Sequence, residues 1–119
     1  MTAKTTSPEY VKIIRTLRRK SNETGVAIWD AVAEKLGKSK HRRVSVNISR
    51  VNRYSTNGET VVVPGKVLGA GNLDHRISIA AFDFSKEAKE KIERAGGECL
   101  TIQTLIQRNP KGSGVKMIG

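Results

Sequence analysis

The chain is short of the residues that most often carry chemistry. It has one cysteine, Cys99, so no intramolecular disulfide can form. Its two histidines, His41 and His75, stand far apart, with no cysteine or carboxylate at metal-ligand spacing, which argues against a zinc site and leaves two surface imidazoles as the expectation. One tryptophan, two tyrosines and two phenylalanines are too few rings for a platform that stacks successive bases of a single strand. No run of roughly 18 apolar residues occurs, and the start "MTAKTTSPEY" lacks the apolar stretch of a secretory signal, so neither membrane insertion nor export is expected and the compartment reads as cytoplasmic. The serines have no G-x-S-x-G context and the acids mostly have cationic neighbours at helical spacing. No catalytic set, cofactor or metal emerges, and a small enzyme is the least favoured class.

Acids are scarce as well: 11 Asp and Glu face 22 Lys and Arg, a net charge of +11 on 119 residues. A potential of that sign attracts polyanions. Residues 1–53 hold 13 basic against 4 acidic side chains, whereas residues 54–119 hold 9 against 7, so the basic character belongs to the N-terminal half. A membrane surface would draw the same charge, but helices lying on membranes present wide apolar faces with Trp or Phe, and Trp29 lies outside the densest basic runs. Nucleic acid is the better partner, and with so few rings the mode is phosphate and shape recognition of folded RNA.

The element pattern is α/β. "SPEYVKIIRTLRRKS" predicts a helix over residues 8–20, with Ser7 as cap and Pro8 at the first position. Tyr10, Ile13, Ile14 and Leu17 share one face; Arg18, Arg19 and Lys20 crowd the last turn, as a solvated face or a phosphate contact. A second helix over 26–36 turns Trp29, Val32 and Leu36 to the core and stops at Gly37. "KSKHRR" then packs Lys38, Lys40, Arg42 and Arg43 around His41 with no acid, and the natural counterion of such a loop is a phosphate backbone.

"VSVNISRVNRYS" alternates like a strand to Ile48 and then takes helical spacing, so a short strand passes into a helix over 48–54, with Asn47 as cap and Arg50 and Arg53 projecting. "VVVPGKVLGAGNLDHRISIAAF" matches neither the P-loop nor the dinucleotide spacing. It reads as strand, Pro64-Gly65 turn, short strand, a second turn at 69–72, then strand. Lys66, His75 and Arg76 hang on these turns, to meet phosphate or merely to solvate the surface. "SKEAKEKIERAGGE" is a helix capped by Ser85, with Ala88, Ile92 and Ala95 inward and Lys86–Glu90 and Lys89–Glu93 at i, i+4. "CLTI" is a strand, "IQTLIQR" a short helix closed by Asn109-Pro110, and "VKMIG" a final strand, with Lys111 and Lys116 flanking "KGSG".

The ordered series "EKLGKSKHRRVSVNISRVNRYS", "VVVPGKVLGAGNLDHRISIAAFDFS", "AKEKIERAGG" and "NPKGSGVKMIG" resembles the archaeal and eukaryotic L-eighteen-e family of large-subunit ribosomal proteins, related to bacterial L-fifteen, over nearly the whole chain. The resemblance implies a single domain over 1–119. Residues 1–43 would be a basic helical segment and 44–119 a small irregular α/β core of stacked β-β-α units. It implies a structural role on large-subunit ribosomal RNA beside neighbouring ribosomal proteins, with RNA-facing positions at 38–43, Arg50, Arg53, Lys66 and Lys111. The lack of long terminal extensions resembles an archaeal member, and the basic balance is unlike an extreme halophile's acidic surface. A free chromatin-type or regulatory nucleic-acid binder would share the charge, but would need a groove-reading helix and a dimer seam, neither of which the pattern shows.

Cys99, set in the apolar "CLTI", reads as a small core residue. It should react with a thiol reagent far more slowly in the native protein than in denaturant, and Cys99→Ser should lower the melting temperature while RNA binding persists. Rapid native labelling would contradict this.

Overall fold

The structure, a computed structural model, describes residues 8–38 and 44–119. The expected Ser7 cap and the loop residues Lys40, His41, Arg42 and Arg43 lie outside the described residues. Ten elements follow in order: α1 (Pro8–Thr24), α2 (Ala27–Leu36), β1 (Val44–Asn47), α3 (Ile48–Arg53), β2 (Thr60–Leu68), β3 (Ser78–Phe84), α4 (Lys86–Arg94), β4 (Glu98–Thr101), α5 (Ile102–Arg108) and β5 (Val115–Met117).

Helix α1 outruns its expected end at Lys20 because the polar residues that follow are tied to the helix. Thr24 Oγ1 donates to Lys20 O at 2.7 Å, Lys20 pairs with Glu23 at 3.3 Å, and the Gly25 N–H closes the last turn on Ser21 O at 2.8 Å. Ile13 and Leu17 are buried and Tyr10 and Ile14 partly so, as the spacing requires. Helix α2 buries Trp29, Val32 and Leu36, and Trp29 Nε1 donates to Pro110 O at 2.7 Å, which binds the helix to the turn before β5. Gly37 does end α2, but in the right-handed region (φ −76°).

All strands pair in parallel, in the order β1-β2-β3-β4, and β5 also pairs with β2. Strands β1 and β5 share one edge of β2: β5 lies along Thr60–Val62 and β1 along Gly65–Leu68. Residues alternate between two cores, as a parallel sheet covered on both faces requires. Val62, Ala80 and Leu100 meet α1, α2 and α5 on one side. Val61, Val63, Ile79 and Ala81 meet Ile48 and Val51 of α3 and Ala88 and Ile92 of α4 on the other.

The strand-turn-strand-turn-strand reading of 61–82 is corrected by this topology. Strand β2 runs unbroken through Pro64-Gly65, and the irregularity there is a bulge: between the pairs Val63↔Ala81 and Lys66↔Asp83, β2 advances three residues against two on β3. A bulge tolerates the missing proline N–H. Gly65 has no positive φ; a Cβ there would overlap the carbonyl oxygen of Val44, its register partner on β1, so the glycine serves close strand approach. Because β2 and β3 are parallel, segment 69–77 must return along the sheet instead of turning tightly. It is held from outside. Lys91 Nζ donates to Gly69 O and Gly71 O, each at 2.6 Å, and the Ser49 N–H donates to Ala70 O at 3.1 Å. Gly71 takes φ +95° against Ser49, a conformation and a contact that both exclude a side chain.

The expected cap of α4 is present, with Ala88 N–H donating to Ser85 Oγ at 3.1 Å. Among the described residues its ion pair is Glu87–Lys91 at 3.4 Å, in place of Lys86–Glu90 and Lys89–Glu93. Cys99 is half-buried on β4, and burial, followed by the nearby Glu93 charge, pushes its thiol up to about 11, so it stays protonated near neutral pH.

Gly65→Ala should destabilise the protein by about 2–4 kcal/mol, because backbone of two paired strands must separate. Gly58→Ala, at φ +84° with nothing within 4 Å, should cost only about 1–2 kcal/mol of backbone strain. Urea denaturation of both variants measures the difference, and equal losses would refute the close-approach account.

Candidate nucleic-acid interface

The expected cations fall into separate groups. On α1, Arg18 is paired with Asp30 of α2 at 2.9 Å and Lys20 with Glu23. Arg19 and the neighbouring Arg15 have no carboxylate partner among the described residues. With Arg18, Val11 and Ile14 they line an open cleft of about 690 Å³ along the helix. Lys38 is exposed at the end of α2, and Gly37 before it lies close to Ile14, which lines this cleft.

A second group forms around Tyr54. Helix α3 buries Ile48 and Val51, which turns Arg50 and Arg53, also at i, i+3, toward solvent. Their guanidinium carbons stand 5.8 and 6.0 Å from the centre of the Tyr54 ring. Lys116 joins them from β5, donating to Tyr54 O at 2.9 Å and pairing with Glu59 at 3.3 Å. The remaining expected positions stay apart. Lys66 faces Asp83 on the neighbouring strand at 3.9 Å, Lys111 is exposed in the turn before β5, and Arg76 lies alongside Gly96, lining a cleft of about 490 Å³ with Gly58 and Glu98.

His75 differs from its expectation as a surface imidazole. Its side chain is only 15% exposed and is gripped from both ends: Nδ1 meets Asp74 Oδ1 at 2.9 Å and Nε2 meets Ser55 Oγ at 2.8 Å. The order Asp-His-Ser invites comparison with a hydrolytic triad, but Ser55 is buried and its hydroxyl donates to Val51 O at 2.6 Å, so its proton is committed to the end of α3. The network is a strut that fastens segment 69–77 onto α3, helped by the Asp74 N–H donating to Asn52 Oδ1 at 3.1 Å.

Two carboxyls are held below their ordinary range. For Asp74 the main cause is the hydrogen bond from His75, with Asn52 next. For Glu59 it is the Thr56 backbone N–H at 2.9 Å, opposed by partial burial and assisted by Lys116. Among the described residues no group of three metal-ligating side chains exists, and no helix is long and apolar enough to cross a membrane.

Sequence reasoning missed Arg15, Tyr54 and the His75 strut. The spacing R-x-x-R-Y at 50–54 carries a readable signal for the second, because residues flanking a buried i, i+3 pair must point outward together. Nothing local announces the third, whose partners lie 20 residues apart in sequence.

These features define a small basic domain with a two-faced parallel sheet and free guanidinium groups on its surface. Residues 3–119 match the family described as "Ribosomal protein 60S L18 and 50S L18e". The chain is 52% identical over 113 residues to the large ribosomal subunit protein eL18 of Methanothermobacter thermautotrophicus, covering 95% of this chain and 93% of that one. It is 45% identical over 113 residues to the eL18 of Methanococcus maripaludis (95% and 94% covered) and 44% identical over 117 residues to that of Methanoregula boonei (98% and 97%). The chain belongs to this family of large-subunit ribosomal proteins.

Both lowered carboxyls make the unfolded chain bind more protons than the native one in acid. Their contribution is complete above roughly pH 5, past the ordinary carboxylate range, and is lost as pH falls through their lower native values. Asp74→Asn should therefore flatten the acid limb of the stability curve, as followed by circular dichroism melts across acidic pH. An unchanged slope would remove Asp74 from the strut.

Proposed function

We propose that the protein is a structural constituent of the large ribosomal subunit, without enzymatic activity, that binds and stabilises folded large-subunit ribosomal RNA through basic phosphate contacts. Its partners are that RNA and neighbouring large-subunit proteins, with no membrane and no small-molecule substrate, on the cytoplasmic ribosome. Residues 1–119 act as one domain, the basic segment 1–43 on the α/β core 44–119. The observation that carries the reading is the presence of solvent-facing guanidinium groups without carboxylate partners among the described residues, Arg15, Arg19, Arg50, Arg53 and Arg76 among them, in a chain of net charge +11 that belongs to a ribosomal family. Exposed like charges within each group repel one another, and a phosphate backbone supplies the missing counter-charge. Arg18, Lys20, Lys66 and Lys116 are already paired with acids, so they join RNA by exchanging partners and contribute less than the unpaired groups. A free chromatin-type or regulatory binder would remain off the ribosome in co-sedimentation at moderate salt.

Changing Lys38, Lys40, Arg42 and Arg43 together to Gln should weaken binding to large-subunit ribosomal RNA by several kcal/mol at low salt, at roughly 1 kcal/mol or more per contact. The slope of log affinity against log salt should become shallower by about 0.7–0.9 per lost contact. The control removes equal charge at Lys86, Lys89, Arg94 and Arg108; Lys91 is spared because it holds segment 69–77. Equal losses in filter binding would mean that net charge alone matters and that 38–43 is no defined site.

A further inference from the structure

Tyr54 is one of two large apolar side chains exposed among the described residues, at 52%. Its backbone is nevertheless fixed on both sides: its N–H donates to Arg50 O at 3.2 Å and its carbonyl accepts from Lys116 Nζ at 2.9 Å. The next residue, Ser55, is locked to Val51 and His75. A ring on so rigid a base, left in solvent, is arranged in advance for a partner and loses little conformational freedom on meeting one.

The surroundings state the chemistry of that partner. Arg50 and Arg53 stand over the ring at 5.8 and 6.0 Å from its centre, at the outer edge of cation–π reach, without any carboxylate or carbonyl partner among the described residues, and the residue they loosely cover is still half exposed. Tyr54 and Arg50 form a wall common to two clefts. One, of about 370 Å³, is lined by Ser45, Asn47, Ser49 and Arg53; the other, of about 310 Å³, by Lys116, Met117 and Gly119. Both fall within the roughly 300–1,000 Å³ of small-ligand sites. Asn47 occupies the cap position of α3 but makes no capping hydrogen bond, so its amide faces no competing helix donor. A flat ring, two fork-shaped cations and short polar side chains together suit a nucleotide whose base has left its stack.

We propose that Tyr54 stacks an unpaired base of large-subunit ribosomal RNA, with Arg50 and Arg53 holding the phosphates on either side of that nucleotide. This deepens the preceding reading and rests on it. The base seats on the ring, the guanidinium groups neutralise its backbone, and the Asn47 amide reaches its ribose or base edge.

The test uses the full chain and protein-free large-subunit ribosomal RNA of Methanothermobacter thermautotrophicus. Tyr54→Ala should weaken binding about tenfold or more, the loss expected of one stacked base, with an unchanged salt slope and an unchanged melting temperature. Tyr54→Phe should bind like the wild type. Arg50→Gln with Arg53→Gln should make the salt slope shallower, and on a fully paired RNA duplex Tyr54→Ala should have no effect. Ultraviolet cross-linking should join Tyr54 to a nucleotide. If the wild type binds with a steep salt slope and Tyr54→Ala binds equally well, the stacking proposal falls while the phosphate reading stands; if the wild type fails to bind, both fall. A Tyr54→Ala loss that appears only when neighbouring ribosomal proteins are added would make the ring a protein contact and overturn the proposal.

Discussion

Strand β2 is the member on which every layer closes. Its side chains alternate so strictly that Val61 and Val63 enter one core while Val62 enters the other, and its two edges carry three further strands. Each buried valine contributes about 1.5–3 kcal/mol of transfer free energy, but the geometric effect is greater. A one-residue slip would exchange the two faces and empty both cores at once. The bulge at Pro64-Gly65 belongs to the same constraint, because it lets one strand serve β5 on its first half and β1 on its second without breaking the ladder to β3.

From this frame the surface chemistry follows by exclusion. Strand β1 leads directly into α3, whose buried pair Ile48 and Val51 must meet the β2 core, so Arg50, Arg53 and Tyr54 have only solvent to face. The same helix, with Ser55 just past its end, anchors segment 69–77 through Asn52 and that serine. A short helix thus joins two duties, clamping a long crossover on its inner side and presenting cations on its outer side, and the rigidity needed for the first benefits the second.

The local elements were legible because each carries a short-range signal. The periodicity of Ile13, Leu17, Trp29 and Val32, the cap at Ser85 and the strand-to-helix change at Ile48 all express themselves within a few residues. Pro64-Gly65 misled for the same reason: as a local pair it favours a turn, and only the parallel neighbours on both sides of β2 convert it into a bulge. His75 and Lys91 were unreadable, since the polar groups they satisfy become partners only after the chain has folded. At the candidate interface the cations were visible as composition; which are already matched by acids, as Arg18 is by Asp30 and Lys116 by Glu59, depends on tertiary placement.

The uniformly parallel sheet also governs how the chain finds its structure. No pair of neighbouring strands can close as a hairpin, so each ladder brings together segments far apart in sequence, and the loop-closure entropy must be met before any ladder returns stabilisation. Helices α1 and α2, packed on one another through local contacts, are the elements able to form early, and the sheet must then assemble cooperatively around β2. Such a high-contact-order topology belongs to the slower class of small domains, folding over roughly milliseconds to seconds. During that interval the strand edges are exposed together, and the strong positive charge keeps unfinished chains from pairing with one another.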